Sequence, residues 1–135
     1  MKRIVSVDKG RAISLKRMAD LTLKRLHSYD LLKYPSNTLN DFYDVIHQLS
    51  ESFCSIKGIK FWGEGAHAEL IGFVFCSENG FSDSDKVFAQ KLRALRNRIS
   101  YEGFSVKADF LERNLQKIEE YIKKLSEIVE RLING

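Results

Sequence analysis

The segment LRNRISYEG, in the second half of the chain, combines side chains that bind phosphate groups. On a helix, Arg93 and Asn97 lie on one face together with Ser100 or Tyr101. A guanidinium fork beside an amide has the donors and the acceptor that a phosphate or a ribose requires. We therefore predict a binding site for a nucleic acid or nucleotide, formed by Arg93, Arg96, Asn97, Arg98, Ser100 and Tyr101.

A second interpretation of this segment is purely structural. Cations in the last turn of a helix interact favourably with the helix dipole, by roughly 0.3–1 kcal/mol each. That interpretation accounts for Arg96 and Arg98, but it gives no reason for Asn97, a poor helix former in a helix interior. We favour the functional interpretation on this ground.

No Gly-rich phosphate loop, Ser-His-Asp set or metal-ligand cluster is recognisable, and we predict no metal or cofactor. His67 lies in GEGAHAE between two glutamates, where its imidazole is able to act as a general base or pack on an aromatic ring. His27 and His47 are interpreted as ordinary surface or boundary residues, and Cys54 and Cys76 as reduced thiols in apolar runs. The candidate catalytic residues are Arg96, Tyr101 and His67.

The length and composition predict a single domain over residues 1–135. The first residues contain no apolar signal segment and no stretch is long enough to cross a membrane, so we expect a cytoplasmic protein. The net charge is +4 and unevenly distributed, because residues 86–98 carry five basic side chains and no acid. Residues 1–30 carry eight basic and three acidic ones. This suits a phosphate-rich partner if both segments share one side, or else reflects solvated helix faces.

Apolar residues recur at helical spacing through most of the chain, with few interruptions. The first helix is predicted from about residue 8 to residue 27. The second follows a capping pair, Thr38 with Asp41, and ends near Gly58. A glycine-punctuated connection over residues 59–65 comes next, and its aromatic residues are expected to close one end of the core.

A short helix is predicted over residues 66–76, and a longer one from the SDSD segment to Gly103, a suitable residue after a helix end. The closing helix has apolar residues at alternating spacings of four and three: Leu111, Leu115, Ile118, Ile122, Leu125, Val129 and Leu132. We identify no strand pattern. The predicted fold is an all-α, up-and-down bundle of four main helices plus a short fifth helix.

The segment LRALRNRISYEGF on the penultimate helix of such a bundle resembles the HEPN superfamily, whose hallmark is often Arg-Asn-x-x-x-His. Arg96 and Asn97 match the first two positions, and Tyr101 stands where the histidine is expected. The order of the segments RAISLKRMAD, DFYDVIHQLSESF and GEGAHAELI also resembles small archaeal members. The likeness covers nearly the whole chain, but only the motif around Arg96 is specific.

The resemblance implies a homodimer, and it implies either a metal-independent endoribonuclease, sometimes a toxin paired with a nucleotidyltransferase, or a non-catalytic binding protein. It also implies that Arg96 contacts phosphate and that Asn97 orients the site. Tyrosine, with a pKa of about 10, is a poor general base at neutral pH. We therefore rank three outcomes, in order: a binding protein without standard ribonuclease activity, a site where Tyr101 orients or stacks on a nucleotide, and a site where His67 supplies the base.

Two other functions stay open. The first is an endoribonuclease with an unusual base, which requires RNA cleavage without metal. The second is a protein-protein interaction module whose heptad-like last helix and aromatic connection bury against a partner.

Overall fold

Five helices make up most of the chain in the computed structural model, which describes residues 1–135. They are α1 (Lys9–Leu26), α2 (Pro35–Lys57), α3 (Ala66–Val74), α4 (Asp83–Glu102) and α5 (Ala108–Asn134). Two strands, β1 (Lys2–Ile4) and β2 (Ile59–Phe61), complete the structure with a short 3-10 turn over Ser77–Asn79. The prediction of an all-α fold with four main helices and one short helix is confirmed.

The two strands were not predicted from the sequence, and the expectation of no strand was wrong. They pair antiparallel, with Lys2 opposite Phe61 and Ile4 opposite Ile59. Each strand has only three residues, too few for an alternating pattern to emerge, and the two strands are far apart along the chain. Gly58 allows the backbone before β2 to lie close to the backbone after β1. Its φ is +71°, and an added Cβ would lie 2.7 Å from the Val5 carbonyl oxygen.

The start of α2 also differs from the expectation. The helix begins at Pro35 and has no side-chain cap, so the proposed capping pair of Thr38 and Asp41 was wrong. Proline suits the first helical position because its missing N–H would have no helical partner there. Thr38 instead lies inside the helix and is fully buried.

The apolar stripe of α5 packs inside the chain. Its residues Leu111, Ile118, Ile122, Leu125 and Val129 are all at most 2% exposed. They belong to one core with the apolar residues of α2. The other two stripe residues, Leu115 and Leu132, are partly buried against the same core, so the stripe is used for folding within the chain.

Helix α4 is held at both ends by the signals that the sequence indicated. Ser82 and Asp85 form a reciprocal capping box at its start, and Gly103 ends it in the left-handed conformation with a φ of +68°. Only Ala89 and Leu92 are fully buried within it. Most of α4, including its basic residues, is therefore exposed to solvent to some degree.

The two basic segments of the chain lie on helices with different main neighbours. Helix α1 packs on α2 and α5, whereas α4 packs on α2 and α3.

None of the helices combines the length and apolar character needed to cross a membrane.

Candidate functional site

A cleft with a volume of about 520 Å³ lies where α4, the segment 61–68 and α2 meet. The residues on its surface whose side chains are able to bind or react with a ligand are Glu51, Trp62, His67, Arg93 and Asn97. Arg93 and Asn97 come from the predicted stripe of α4, one helical turn apart. His67, the predicted candidate base, reaches the same cleft from the first turn of α3. We refer to this feature as the cleft.

Arg93 is oriented by a short chain of hydrogen bonds. Its Nε donates to the Gln90 Oε1 at 2.9 Å, and the Gln90 Nε2 donates to the Ala68 carbonyl oxygen at 2.8 Å. The second bond also ties α4 to α3. Arg93 forms no ion pair with any carboxylate, so the outer nitrogens of its guanidinium group are available to a ligand.

The charges around the cleft favour an anionic ligand. Glu51 is the only acid on its surface, and it lies 3.6 Å from the Arg11 guanidinium. Its charge is thus partly compensated within the protein, whereas that of Arg93 is not. The first turn of α3 also lines the cleft, and the positive end of its dipole adds to the potential.

One wall of the cleft is an aromatic side chain on the connection after β2. Trp62 is 39% exposed, and the Arg3 guanidinium lies 5.2 Å from the centre of its ring. The N-terminal ammonium group donates to the Trp62 carbonyl oxygen and to Glu69, both at 2.7 Å, and so fixes this wall to α3. The expectation that the aromatic residues of this connection close the core holds for Phe61, which packs on Phe73, but not for Trp62.

Arg96 points toward α2 instead of the cleft surface. Its Nη2 lies 3.6 Å from the Asp44 Oδ1, while its Nε is buried without a hydrogen-bond partner. The Tyr43 hydroxyl beside it is also buried and unpartnered, and burial raises its pKa to about 12. Burial likewise raises the pKa of Asp44, against the opposing effect of Arg96. We call this contact between α2 and α4, formed by Tyr43, Asp44 and Arg96, the polar seam.

His47 and His67 lie together where the polar seam meets the cleft. Their ring centres are 4.8 Å apart, with the rings tilted by 52°. Burial lowers the pKa of His47 below its usual value of 6.5, Glu51 acts in the opposite direction, and His67 adds to the lowering. Burial therefore disfavours the protonated form of His47, which lies behind His67, and the interpretation of His47 as an ordinary surface or boundary residue missed this contact.

The other predicted binding residues lie outside the cleft. The Arg98 guanidinium stacks 3.9 Å from the centre of the Phe104 ring. Ser100 is exposed, and Tyr101 is 79% exposed in the last turn of α4. The structure thus brings together Arg93, Asn97 and His67, with Arg96 behind them, and leaves Arg98, Ser100 and Tyr101 on the open surface.

Several residues of the site were not identified from the sequence. Asp44, His47 and Glu51 recur at spacings of three and four along α2, next to its apolar stripe. This polar row was a usable signal, because it predicts a helix face that must meet polar partners. Trp62 gave no such signal, since its position depends on the pairing of β1 with β2.

No protein-family model, curated protein or solved structure matches this chain. The geometry of the cleft and of the polar seam is therefore the basis for a functional assignment. No group of three or more His, Cys, Asp or Glu side chains is placed to hold a metal ion.

The lowered pKa of His47 predicts a pH-dependent stability. Folded His47 binds a proton less readily than the unfolded chain does, so the free energy of unfolding should fall as the pH drops below about 6.5. Chemical denaturation of the wild type and of His47→Gln between about pH 5 and pH 7.5 measures this. We expect the variant to lose less stability over that range.

The control is Leu21→Gln, which introduces the same residue at an exposed position of α1 that carries no ionisable group. This variant should keep the pH dependence of the wild type. Parallel curves for the wild type and His47→Gln would show that His47 is not held neutral by burial.

Proposed function

We propose that this protein is a HEPN-like RNA- or nucleotide-binding protein without standard ribonuclease activity, and that the cleft is its binding site. The observation that carries the proposal is the juxtaposition of Arg93, which has no carboxylate partner, with Asn97 and His67 on one open surface. These groups come from two different helices.

A phosphate group fits the unpaired guanidinium of Arg93. Its Nε is held by Gln90, so the planar group is fixed in orientation, and its outer N–H groups form the fork that binds two phosphate oxygens. Fixing the side chain in advance reduces the rotamer entropy lost when the ligand binds.

The neighbouring side chains suit the rest of a nucleotide. The Asn97 amide offers both a donor and an acceptor to a ribose hydroxyl. The half-exposed Trp62 ring offers a face on which a base can stack, a contact worth roughly 1–3 kcal/mol. Because stacking of this kind does not depend on base identity, we expect weak sequence preference.

The HEPN resemblance, and the homodimer and nucleotidyltransferase partner that it implies, are parts of this proposal. The resemblance rests on Arg96, Asn97 and the replacement of the expected histidine by Tyr101. In this proposal Arg96 supports the site from the polar seam, and Arg93 makes the contact with phosphate.

Equilibrium binding of a fluorescent single-stranded RNA at several salt concentrations tests the proposal. Arg93→Ala should weaken binding roughly tenfold and lower the slope of log K against log salt by about 1, because one phosphate contact is lost. Arg17→Ala removes an exposed arginine of α1 as the matched control, and it should change binding much less. Equal binding by the wild type and Arg93→Ala, or no binding by either, contradicts the proposal.

A second candidate function, a metal-independent endoribonuclease, is favoured by the histidine pair. His67 lies in the cleft with Arg93, and the neutral His47 stands behind it. In this reaction His67 would take the proton of a ribose 2′-hydroxyl, whose oxygen attacks the adjacent phosphorus. The 5′-oxygen would leave and take a proton from water, while Arg93 stabilises the charge on the phosphoryl oxygens.

Incubation of RNA with the protein in EDTA tests this second function. It predicts products ending in a 2′,3′-cyclic phosphate, and a loss of roughly 10²–10⁴-fold in rate for His67→Ala. Tyr101→Phe should cleave like the wild type, because Tyr101 lies outside the cleft. RNA that stays intact with purified wild-type protein rules this function out and leaves the binding proposal standing.

A further inference from the structure

A second pocket lies between the end of α4 and the start of α5. It has a volume of about 340 Å³, and its apolar floor is formed by Leu95, Phe104, Val106 and Phe110. Two of these four side chains are aromatic rings. We refer to it as the α4–α5 pocket.

The rim of the α4–α5 pocket is positively charged. Lys91, Lys107 and Arg113 line it together with a single acid, Asp109. None of the three cations forms an ion pair with a carboxylate. An apolar floor under an excess of unpaired cations suits a ligand that has a flat apolar part and an attached anion.

Basic side chains already lie over both rings of the floor. The Lys91 Nζ is 5.2 Å from the centre of the Phe110 ring, and the Arg98 guanidinium is 3.9 Å from that of Phe104. Aromatic faces interleaved with cations form the arrangement that holds single-stranded nucleic acid, because bases stack on the rings while the phosphates meet the charges.

We propose that the α4–α5 pocket binds an unpaired nucleobase of RNA, with its phosphate on Lys91 and Arg113. This site rests on the proposed function, since it is a second contact for the strand that the cleft binds. It also assigns the chemical form of the ligand, because a base held in a double helix cannot enter the pocket.

The two sites lie on opposite sides of one helix. Lys91 and Leu95 face the α4–α5 pocket, while Arg93 and Asn97 face the cleft, and residues two apart on a helix point in roughly opposite directions. The exposed residues of α4 between the two faces include Ala94, Arg98 and Tyr101. A strand that occupies both sites crosses this surface, which gives the exposed Arg98 and Tyr101 a place along its path.

The test compares binding of single-stranded RNA, and of the same sequence as a duplex, to the wild type and to charge-reversal variants. Lys91→Glu and Arg113→Glu should each weaken single-strand binding by about tenfold or more and lower the salt slope by about 1. Lys24→Glu makes the same charge change on an exposed residue of α1 and serves as the matched control.

Phe104→Leu tests the stacking contact, because it keeps an apolar side chain but removes the ring. Binding should fall about tenfold at an unchanged salt slope, and thermal unfolding confirms that the variant is folded. Duplex RNA should bind more weakly than the single strand.

The possible failures are distinguishable. If single-stranded RNA binds and Arg93→Ala weakens it, while Lys91→Glu and Arg113→Glu lose no more than Lys24→Glu, the pocket proposal is overturned and the cleft proposal stands. If the wild type binds no RNA, both proposals fall.

Discussion

Helix α2 has an apolar face and a polar row, and each must meet matching side chains on the other helices. The packing of the bundle depends on this. Helix α2 packs against each of the other four helices. Its apolar residues, among them Leu39, Phe42, Val45, Ile46 and Leu49, are almost completely buried. Its polar row, in contrast, faces α4 and α3, where Arg96 and His67 meet it.

The polar seam is costly for stability. The Tyr43 hydroxyl and the Arg96 Nε within it, and the His47 Nδ1 beside it, are buried without hydrogen-bond partners. Each unsatisfied group of this kind costs roughly 1–3 kcal/mol. Proteins that depart from the rules of a well-satisfied core do so most often at functional sites, so the position of this cost beside the cleft supports a binding role.

The exposure of α4 follows from how it is attached. A capping box fixes its start, Gln90 ties it to α3, and only two of its residues are fully buried. The outer face of this helix is therefore free to carry basic side chains toward both the cleft and the α4–α5 pocket. The same helix thus serves as a structural element of the bundle and as the ridge between the cleft and the α4–α5 pocket.

The helices were largely predictable from the sequence, because apolar periodicity and glycine stops such as Gly103 act locally. The strands β1 and β2 were not, since three-residue segments far apart in the chain leave no periodic signal. The same difference between local and long-range interactions decides which parts of the candidate site were predictable. The spacing of Arg93 and Asn97 on one helix was predictable, and His67 was named as a candidate, but the placement of Trp62 and Glu51 beside them arises only from packing.

Titration of the ¹⁵N-labelled protein with single-stranded RNA, followed by backbone amide chemical shifts, tests directly whether the cleft binds RNA. The shifts should change most in residues 61–68 and at Arg93 and Asn97, which line the cleft. Changes concentrated in α1, or no changes at all, would contradict it.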